Sequence, residues 1–301
     1  MYDVIIIGGG PAGMTAGLYS TWFGLKVLLF DDAEEPSQLA LATEIKNYPG
    51  IETISGSNLV KAFHDQTEKM GTEIKNEKVS GIKIEGDVKK IFTDKGEYEA
   101  KTLIVATGAK HRSGGIPGEK EFTGKGVSYC ATCDGHFFVG KEVIVWGGGD
   151  TALTYALHLQ TIGCKTTVVH RRNTFKASDY NVDKAKEAGV KFILERTLKE
   201  VRGDQLVTSV ILDDDKEVPT SAVFVAIGEI PSVEILKSIG VKVTDSNFIE
   251  ADKAQKTNVE GIFAAGDVTA NFLKQIIVAC GEGAVASKSA LDYIQKLKKS
   301  D

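Results

Sequence analysis

The feature that most constrains the fold is a glycine-rich turn that occurs twice in the chain. Gly8–Gly13 directly follows the apolar run Val4–Ile7, and Gly147–Ala152 directly follows Val143–Trp146. In both copies a helix-compatible segment comes next, and then a second run of strand-forming residues, Val27–Phe30 and Thr166–Val169. Strand, glycine turn, helix and strand in roughly 30 residues form a βαβ unit of a parallel sheet. The sequence therefore predicts an α/β protein with two Rossmann-like dinucleotide-binding domains.

Each glycine of the first turn has its own predicted role. Gly8 permits the tight turn, Gly10 lets the backbone approach a pyrophosphate, and Gly13 lets the helix pack closely on the strand. The unpaired N–H groups at the start of the following helix favour a bound phosphate. The predicted cofactor-binding residues of the two turns are Gly8, Gly10, Pro11, Ala12 and Gly13 in the first copy, and Gly147, Gly149, Asp150, Thr151 and Ala152 in the second.

The two copies differ at the end of the second strand, where such a unit meets the adenosine ribose. The residue 23 positions after the first glycine is Asp31 in one copy and His170, followed by Arg171 and Arg172, in the other. An aspartate accepts hydrogen bonds from ribose hydroxyls and repels a 2′-phosphate, whereas arginines bind phosphate. The first unit is therefore predicted to bind FAD and the second NADPH, with Lys176 as a third cation. A surface charge cluster is the other interpretation.

Two of the four cysteines form a Cys-x-x-Cys pair, Cys130 and Cys133, which Asp134 follows directly. This spacing indicates a redox-active disulfide, with a zinc site or a structural disulfide as alternatives. Asp134 is the predicted acid–base group because a carboxyl beside a dithiol can exchange the protons that disulfide reduction needs. His136 is a weaker candidate for that role. Buried, unreactive thiols are expected at the two isolated cysteines, Cys164 and Cys280.

Length and charge exclude several other classes of protein. The 301 residues suggest two domains, and the formal net charge of −5 argues against a mainly electrostatic nucleic-acid binder. No apolar stretch approaches the roughly 18 residues that a membrane span needs, and the first residues lack the features of a secretory signal. Four cysteines are too few for a disulfide scaffold. We therefore expect a cytoplasmic protein that binds neither nucleic acid nor membranes.

An ordered set of motifs resembles the low-molecular-weight, bacterial and archaeal type of thioredoxin reductase over the whole chain. The set comprises Gly8–Gly13, Asn47–Gly50, Ala106–Gly108, Cys130–Asp134, Gly147–Ala152, His170–Arg172 and Gly266–Asp267. The resemblance implies the fold of the pyridine nucleotide-disulfide oxidoreductases, with three-layer ββα domains, and a homodimer. Residues 1–112 and 245–301 would form the FAD-binding domain. Residues 113–244 would form the NADPH-binding domain that carries the cysteine pair.

The resemblance also implies which residues bind the flavin. Asp31 would bind the FAD ribose and Asp267 the ribityl chain, with Gln38 and Asn47 close to the flavin ring. The remaining residues that it places at the flavin site are Thr107, Gly108, Gly266, Lys274, Gln275 and Ile276. No metal ligand is implied.

The same resemblance implies an electron path from NADPH through FAD to the Cys130–Cys133 disulfide and on to thioredoxin. Cys133 would be the thiol next to the flavin, Cys130 would attack the thioredoxin disulfide, and Asp134 would be the acid–base group. The nicotinamide and the dithiol would reach the flavin in turn through a rotation of the domains. A hinge for this rotation is expected at the glycines of Ser113–Gly115.

A few positions depart from the family pattern, and alternatives for the function stay open. Pro36 and Ser37 replace two glycines, Lys176 replaces an arginine, and Asp31 replaces a glutamate. The alternative within the same fold is a reductase of ferredoxin or flavodoxin, of a peroxidase component, or of a small disulfide. The alternatives beyond it are a non-catalytic NADP(H)-binding redox sensor and an oxygen-dependent dithiol oxidase.

Overall fold

A computed structural model describes residues 1–32, 37–42 and 45–300. The chain forms two compact units, Met1–Lys110 with Ile230–Asp301, and His111–Glu229. The chain returns to the first unit at residue 230, earlier than the predicted boundary at 244–245. It does so because Val233, Leu236 and Val241 are buried in the core of the first unit. Which cofactor each unit binds stays a prediction.

The described residues form many short strands and a few longer helices. The strands are β1 (Tyr2–Ile7), β2 (Val27–Phe30), β3 (Glu73–Lys75), β4 (Val79–Glu85), β5 (Val88–Thr93), β6 (Glu97–Val105), β7 (Ala109–His111), β8 (Val127–Ser128), β9 (Glu142–Trp146), β10 (Lys165–His170), β11 (Lys191–Leu194), β12 (Leu198–Gly203), β13 (Val207–Leu212), β14 (Glu217–Pro219), β15 (Ala222–Val225), β16 (Glu229–Pro231) and β17 (Ile262–Ala264). The α-helices are α1 (Pro11–Trp22), α2 (Gly56–Met70), α3 (Ala131–Asp134), α4 (Asp150–Thr161), α5 (Asp179–Glu187) and α6 (Ile276–Ser300). Short 3₁₀ helices cover Gln38–Leu41, Gly135–Phe138 and Glu234–Ile239. None of the helices in the described part of the chain is both long and apolar enough to cross a membrane.

In the first unit, β1 lies at the centre of parallel strands in the order β3-β2-β1-β6-β17. Strands β4 and β5 continue this sheet as an antiparallel meander. Helices α1 and α6 pack on one face of the parallel strands through Met14, Ala16 and Ile294, and the meander packs on the other face through Ile82 and Ile91. Because both faces are covered, residues 4–7 of β1 and all four residues of β2 are apolar and buried.

The second unit repeats this plan, with parallel strands in the order β11-β10-β9-β15-β8. Helix α4 packs on one face through Leu153 and Ala156, and the antiparallel sheet β12-β13-β14 covers the other through Val201 and Val210. The short strand β8 takes the edge position that β17 takes in the first unit. The fold thus confirms the prediction of two Rossmann-like, three-layer domains.

The glycines predicted to form a hinge lie within the second unit instead. The N–H groups of Gly114 and Gly115 donate to the carboxylate of Glu119 at 3.1 and 2.8 Å, and the hydroxyl of Tyr129 donates to it at 2.8 Å. Glu119 is 2% exposed, so these hydrogen bonds to a buried side chain hold the loop in place. A Cβ on Gly114 would also lie 1.9 Å from the ring of Trp146. The hinge prediction is therefore corrected, because the chain passes between the units within β7 and β16.

Candidate active site

In the first glycine turn, close packing requires glycine at positions 8 and 13 but not at position 10. A Cβ on Gly8 would lie 2.2 Å from the carbonyl oxygen of Ala106, and a Cβ on Gly13 would lie 1.8 Å from that of Gly8. A Cβ on Gly10 would meet only Ser37 Oγ, at 3.7 Å, among the described residues. Gly10 is also the N-cap of α1 and supplies no side-chain cap. The described residues therefore leave space beside Gly10 at the start of α1, where a phosphate site needs it.

Asp31 directly follows β2, at the carboxyl end of the strand, and we call this position the tip of the first unit; His170–Arg172 holds the corresponding tip of the second unit. Ile7 pairs with Phe30, so Gly8 and Asp31 leave the sheet at the same edge. A Cβ on Gly9 would lie 2.1 Å from the Asp31 carboxyl carbon, so the carboxyl rests directly on the glycine turn. Burial raises the pKa of Asp31, and a hydrogen bond from the Gly9 N–H opposes that rise. The carboxyl can accept a hydrogen bond from a ribose hydroxyl here.

A loop from the far end of the chain meets this turn. A Cβ on Gly266 would lie 2.8 Å from the Cβ of Ala12, which places the loop after β17 beside the start of α1. The Gly266 N–H donates to Glu282 Oε2 at 2.7 Å, and the Lys274 ammonium donates to the carbonyl of Asp267. The predicted residues Gly266 and Asp267 are thus brought to the same region as the glycine turn.

The other residues predicted at the flavin site fall into two pairs of contacts. Asn47 Nδ2 donates to Gln275 Oε1 at 2.9 Å, directly before α6 begins at Ile276. Thr107, which precedes Gly108, donates to the carbonyl of Ser232 at 2.7 Å. The side chain of Gln38 lies outside the described residues, so its predicted place near the flavin stays a prediction. Pro36, a departure from the family pattern, also lies outside them.

In the second glycine turn, too, close packing requires the first glycine but leaves space at the second. A Cβ on Gly147 would lie 2.2 Å from the carbonyl oxygen of Ala226, whereas a Cβ on Gly149 would have no neighbour within 4 Å in the described part of the chain. Gly149 is the N-cap of α4, again without a side-chain cap. Asp150 accepts from the Ser178 N–H at 2.9 Å and from Asn181 at 2.8 Å, and these bonds lower its pKa. Asp150 thus anchors the start of α5, while Thr151 is exposed and Ala152 is buried.

The tip of the second unit has cations, but His170 is not one of them. The His170 ring lies on Gly148, where a Cβ would be 2.2 Å from Nδ1. The ring stacks on Phe175 with centroids 5.4 Å apart, and it is 8% exposed. Burial lowers the pKa of His170, so the imidazole is neutral at pH 7. The positive charge at this tip comes from exposed side chains on the same loop, namely Arg171, Arg172 and Lys176.

Lys176 is tied to the second turn through its backbone. Its N–H donates to the carbonyl of Gly148 at 2.9 Å, while its side chain is exposed. The loop from Arg171 to Lys176 therefore returns to the glycine turn and carries three exposed cations. This is the arrangement that a 2′-phosphate would need.

The cysteine pair is a disulfide in the structure, with Cys130 and Cys133 Cα atoms 5.3 Å apart. Cys130 is the N-cap of the short helix α3, and its carbonyl accepts from the N–H groups of Cys133 at 3.2 Å and Asp134 at 3.1 Å. The pair lies two residues beyond β8, at the carboxyl edge of the parallel sheet. Active groups of α/β proteins are commonly found at this edge.

Asp134 is half-buried beside the disulfide turn. Ser128 Oγ donates to Asp134 Oδ2 at 2.6 Å, and the same hydroxyl accepts from the Cys130 N–H at 3.0 Å. Burial raises the pKa of Asp134, and the Ser128 hydrogen bond opposes the rise. The carboxyl thus holds a proton at higher pH than an exposed aspartate would, which suits an acid–base group. His136 is exposed, and no contact to the disulfide is seen for it in the described residues.

The two isolated cysteines are buried thiols, as the sequence predicts. Cys164 is 2% and Cys280 is 8% exposed, and burial raises the pKa of both. A raised thiol pKa leaves little thiolate, so neither is a reactive nucleophile.

Sequence reasoning missed the residues that support the predicted ones. Ser128 orients Asp134, Phe175 stacks on His170, and Glu282 binds the N–H of Gly266. Ser128 and Phe175 lie within a few residues of a recognised motif and could have been marked as neighbours. Glu282 could not, because its contact joins α6 to a loop 16 residues away.

Two nucleotide-type turns and a disulfide next to a carboxyl define a class of protein, the oxidoreductases that couple a dinucleotide to a dithiol. The family model described as pyridine nucleotide-disulphide oxidoreductase matches residues 2–283. The chain is 38% identical to a thioredoxin reductase of Peptoclostridium acidaminophilum, with 98% of each chain covered. It is 40% identical to that of Treponema pallidum, covering 99% of this chain and 98% of the other.

A solved structure gives the same result. The thioredoxin reductase of Streptococcus pyogenes superposes with a TM-score of 0.91 at 38% identity, covering 98% of this chain and 99% of that one. The chain therefore belongs to the pyridine nucleotide-disulphide oxidoreductases and, within them, to the thioredoxin reductase family. It is an oxidoreductase.

Proposed function

We propose that the protein is a thioredoxin reductase that uses NADPH and FAD and passes electrons through Cys130 and Cys133. The observation that carries the proposal is the disulfide beside Asp134 in a chain with two glycine turns. An acidic residue lies at the tip beside the first turn, and basic residues lie at the tip beside the second. Relatives with 36–40% identity over nearly the whole chain bear the name thioredoxin reductase, which supports thioredoxin as the acceptor.

The first unit has the features that FAD needs. Gly10 leaves an open cradle at the start of α1, where the pyrophosphate would bind to backbone N–H groups. Asp31 would bind the adenosine ribose, and the loop at Gly266 and Asp267 reaches the same helix start. Bound FAD supplies a two-electron carrier between a hydride donor and a disulfide. NADPH would bind the corresponding cradle at Gly149, with its 2′-phosphate among the cations of the second tip.

The chain's own chemistry lies in the disulfide turn. Two electrons break the S–S bond and leave two sulfurs that need protons, and Asp134 can supply one of them. The dithiol is then the reductant for an external disulfide: one thiolate attacks, a mixed disulfide forms, and attack by the second sulfur releases the reduced product. Both cysteines are partly exposed, so a protein disulfide can reach the pair.

An anaerobic titration tests the proposal directly. Purified protein is titrated first with NADPH and, in a second sample, with NADH, while the flavin absorbance is followed. Oxidised thioredoxin is then added to the reduced protein. We expect bleaching by NADPH and rapid recovery of the absorbance on addition of thioredoxin. Recovery only with ferredoxin, a peroxidase component or a small disulfide would favour the alternative acceptors, and a colourless protein would exclude the proposal.

We expect the double variant Arg171→Ala/Arg172→Ala to lose its preference for NADPH. Each arginine would contribute a charge-assisted hydrogen bond to the 2′-phosphate, so kcat/KM for NADPH should fall roughly 30-fold or more. The value for NADH should change little, because NADH has no phosphate there. Arg202→Ala is the matched control, since Arg202 is exposed in the same unit and pairs with Glu200. Equal losses with both nucleotides would contradict the assignment.

We expect Asp134→Asn to reduce thioredoxin turnover about 100-fold, the lower end of what a positioned acid–base group contributes. When the wild-type rate is plotted against pH, it should show an inflection (a limb of the profile) at a pH above the usual range of aspartate pKa values, because burial raises the pKa of this carboxyl. That limb should be absent from the variant. Asp183→Asn, at an exposed aspartate on α5, is the control and should behave as wild type. An unchanged profile in Asp134→Asn would show that another group moves the proton.

We also propose that the enzyme is a cytoplasmic homodimer. The resemblance of the motifs supports the dimer, and the sparse cysteines support a reducing compartment. Light scattering of the purified protein should give twice the mass of the chain. Fractionation of the source cells should recover the protein in the soluble cytoplasmic extract.

A further inference from the structure

Ser128 joins the disulfide turn to the acid–base carboxyl through one hydroxyl group. It ends β8 and is 6% exposed. Its Oγ accepts from the Cys130 N–H at 3.0 Å and donates to Asp134 Oδ2 at 2.6 Å. A third partner, the carbonyl oxygen of Cys130, lies 3.4 Å from the same Oγ.

This geometry accommodates both protonation states of Asp134. A serine hydroxyl has one hydrogen, and with Asp134 ionised that hydrogen points to Oδ2. When the carboxyl is protonated, its O–H can donate to Ser128 Oγ, and the serine hydrogen can turn to the carbonyl of Cys130. The Cys130 N–H remains bonded to Ser128 Oγ in either case. No buried donor or acceptor is left unpaired by the change.

We propose that Ser128 is a positioning residue that holds the Asp134 carboxyl against the disulfide turn and reverses its hydrogen bond as Asp134 gains or loses a proton. The inference rests on the proposed function, in which Asp134 moves a proton for the dithiol. Among the described residues no hydrogen bond joins Ser128 to either sulfur, so its effect passes through Asp134 and the Cys130 backbone.

The surroundings of Asp134 contain few other groups that titrate. The helix α4 packs against α3 and carries Tyr155, whose hydroxyl donates to the carbonyl of Tyr129, and His158. Burial lowers the pKa of His158, and His136 faces it with ring centroids 6.3 Å apart. Burial raises the pKa of Asp134, and the Ser128 hydrogen bond lowers it. Removing the serine hydroxyl is therefore expected to shift the titration of Asp134 directly.

The test compares Ser128→Ala, Ser128→Val and Ser128→Thr. Valine and threonine have the same shape, so this pair isolates the hydroxyl even if the alanine variant folds poorly. Ser209→Ala is the matched control, because Ser209 is also 6% exposed and donates to a carboxylate, Glu217 Oε1, at 2.6 Å, within the same unit. The Asp134 carboxyl is titrated by ¹³C NMR in the oxidised protein, with Asp134→Asn used for assignment. Thioredoxin turnover is then measured against pH.

We expect the Asp134 midpoint to move to higher pH in the alanine and valine variants, because the bond that stabilises the carboxylate is lost. Thioredoxin turnover should fall roughly tenfold in both, a part of what a positioned proton donor contributes. Ser128→Thr and Ser209→Ala should keep the wild-type midpoint. An unmoved midpoint in alanine and valine, or an equal shift in threonine, would overturn the inference. The NMR titration needs no turnover, so a wild-type protein that fails to reduce thioredoxin defeats the proposed function without deciding this result.

Discussion

Replacing Cys133 by serine is expected to lower NADPH-driven reduction of thioredoxin by at least about 1000-fold, the scale of losing a covalent nucleophile. Serine cannot form a disulfide with Cys130, so the chain loses the disulfide that would accept two electrons and pass them on. Reduction of the bound flavin by NADPH should stay within about twofold of wild type, because that step uses the glycine turns and the tips instead. Stopped-flow absorbance of the flavin and a thioredoxin-coupled assay measure the two steps separately.

The control for this variant is Cys164→Ser, which also removes a thiol from the second unit. Cys164 is 2% exposed, and its thiol donates weakly to the carbonyl of Gly135 at 3.7 Å. The variant should retain thioredoxin turnover, with at most a modest loss of stability from burying a hydroxyl. Full thioredoxin reduction by Cys133→Ser would show that electrons bypass the disulfide, and the proposed path would be wrong.

Replacing Gly10 by alanine is expected to give a folded protein that has lost its flavin. The Gly10 backbone has φ −75° and ψ −177°, which any residue adopts, and a Cβ there would meet only Ser37 Oγ at 3.7 Å in the described part of the chain. The free energy of unfolding of the apoprotein should fall by less than about 1 kcal/mol. The added methyl group lies in the cradle where the pyrophosphate would bind. The FAD affinity should fall roughly 100-fold, as expected for losing two charge-assisted hydrogen bonds.

The comparison variant is Gly13→Ala, in the same turn. Its Cβ would lie 1.8 Å from the carbonyl oxygen of Gly8, so α1 could not keep its place on β1. This variant should unfold or lose at least about 4 kcal/mol of stability, with or without flavin. Thermal unfolding of the apoproteins and FAD titration by fluorescence separate the two glycines. Equal flavin binding by Gly10→Ala and wild type would show that the space beside Gly10 is not part of the FAD site.

The positions of Asp31 and His170 beside the glycine turns could be predicted from the sequence because a parallel βαβ unit has a fixed geometry. Once Val4–Ile7 and Val27–Phe30 are neighbouring strands, the residue after each must leave at the same edge. The same argument placed His170 at the second tip. It could not give the charge of His170, since that depends on the stack with Phe175 and on the burial that lowers its pKa.

The hinge was predicted wrongly for a related reason. Gly114 and Gly115 have the composition of a flexible linker. Their N–H groups, however, bind the buried carboxylate of Glu119, which composition does not reveal. The return of the chain at residue 230 likewise depends on three apolar side chains that fill the core of the first unit.

The sequence by itself determined the two glycine turns, the acidic tip, the cations of the second tip and the cysteine pair, because each depends on spacing along one segment. The tertiary structure alone decided which groups support them. Glu282 reaches Gly266 only because α6 packs along α1, a contact that no segment of the sequence indicates. Contacts between separate elements depend on how buried faces pack in three dimensions, and no local pattern of residues records that packing.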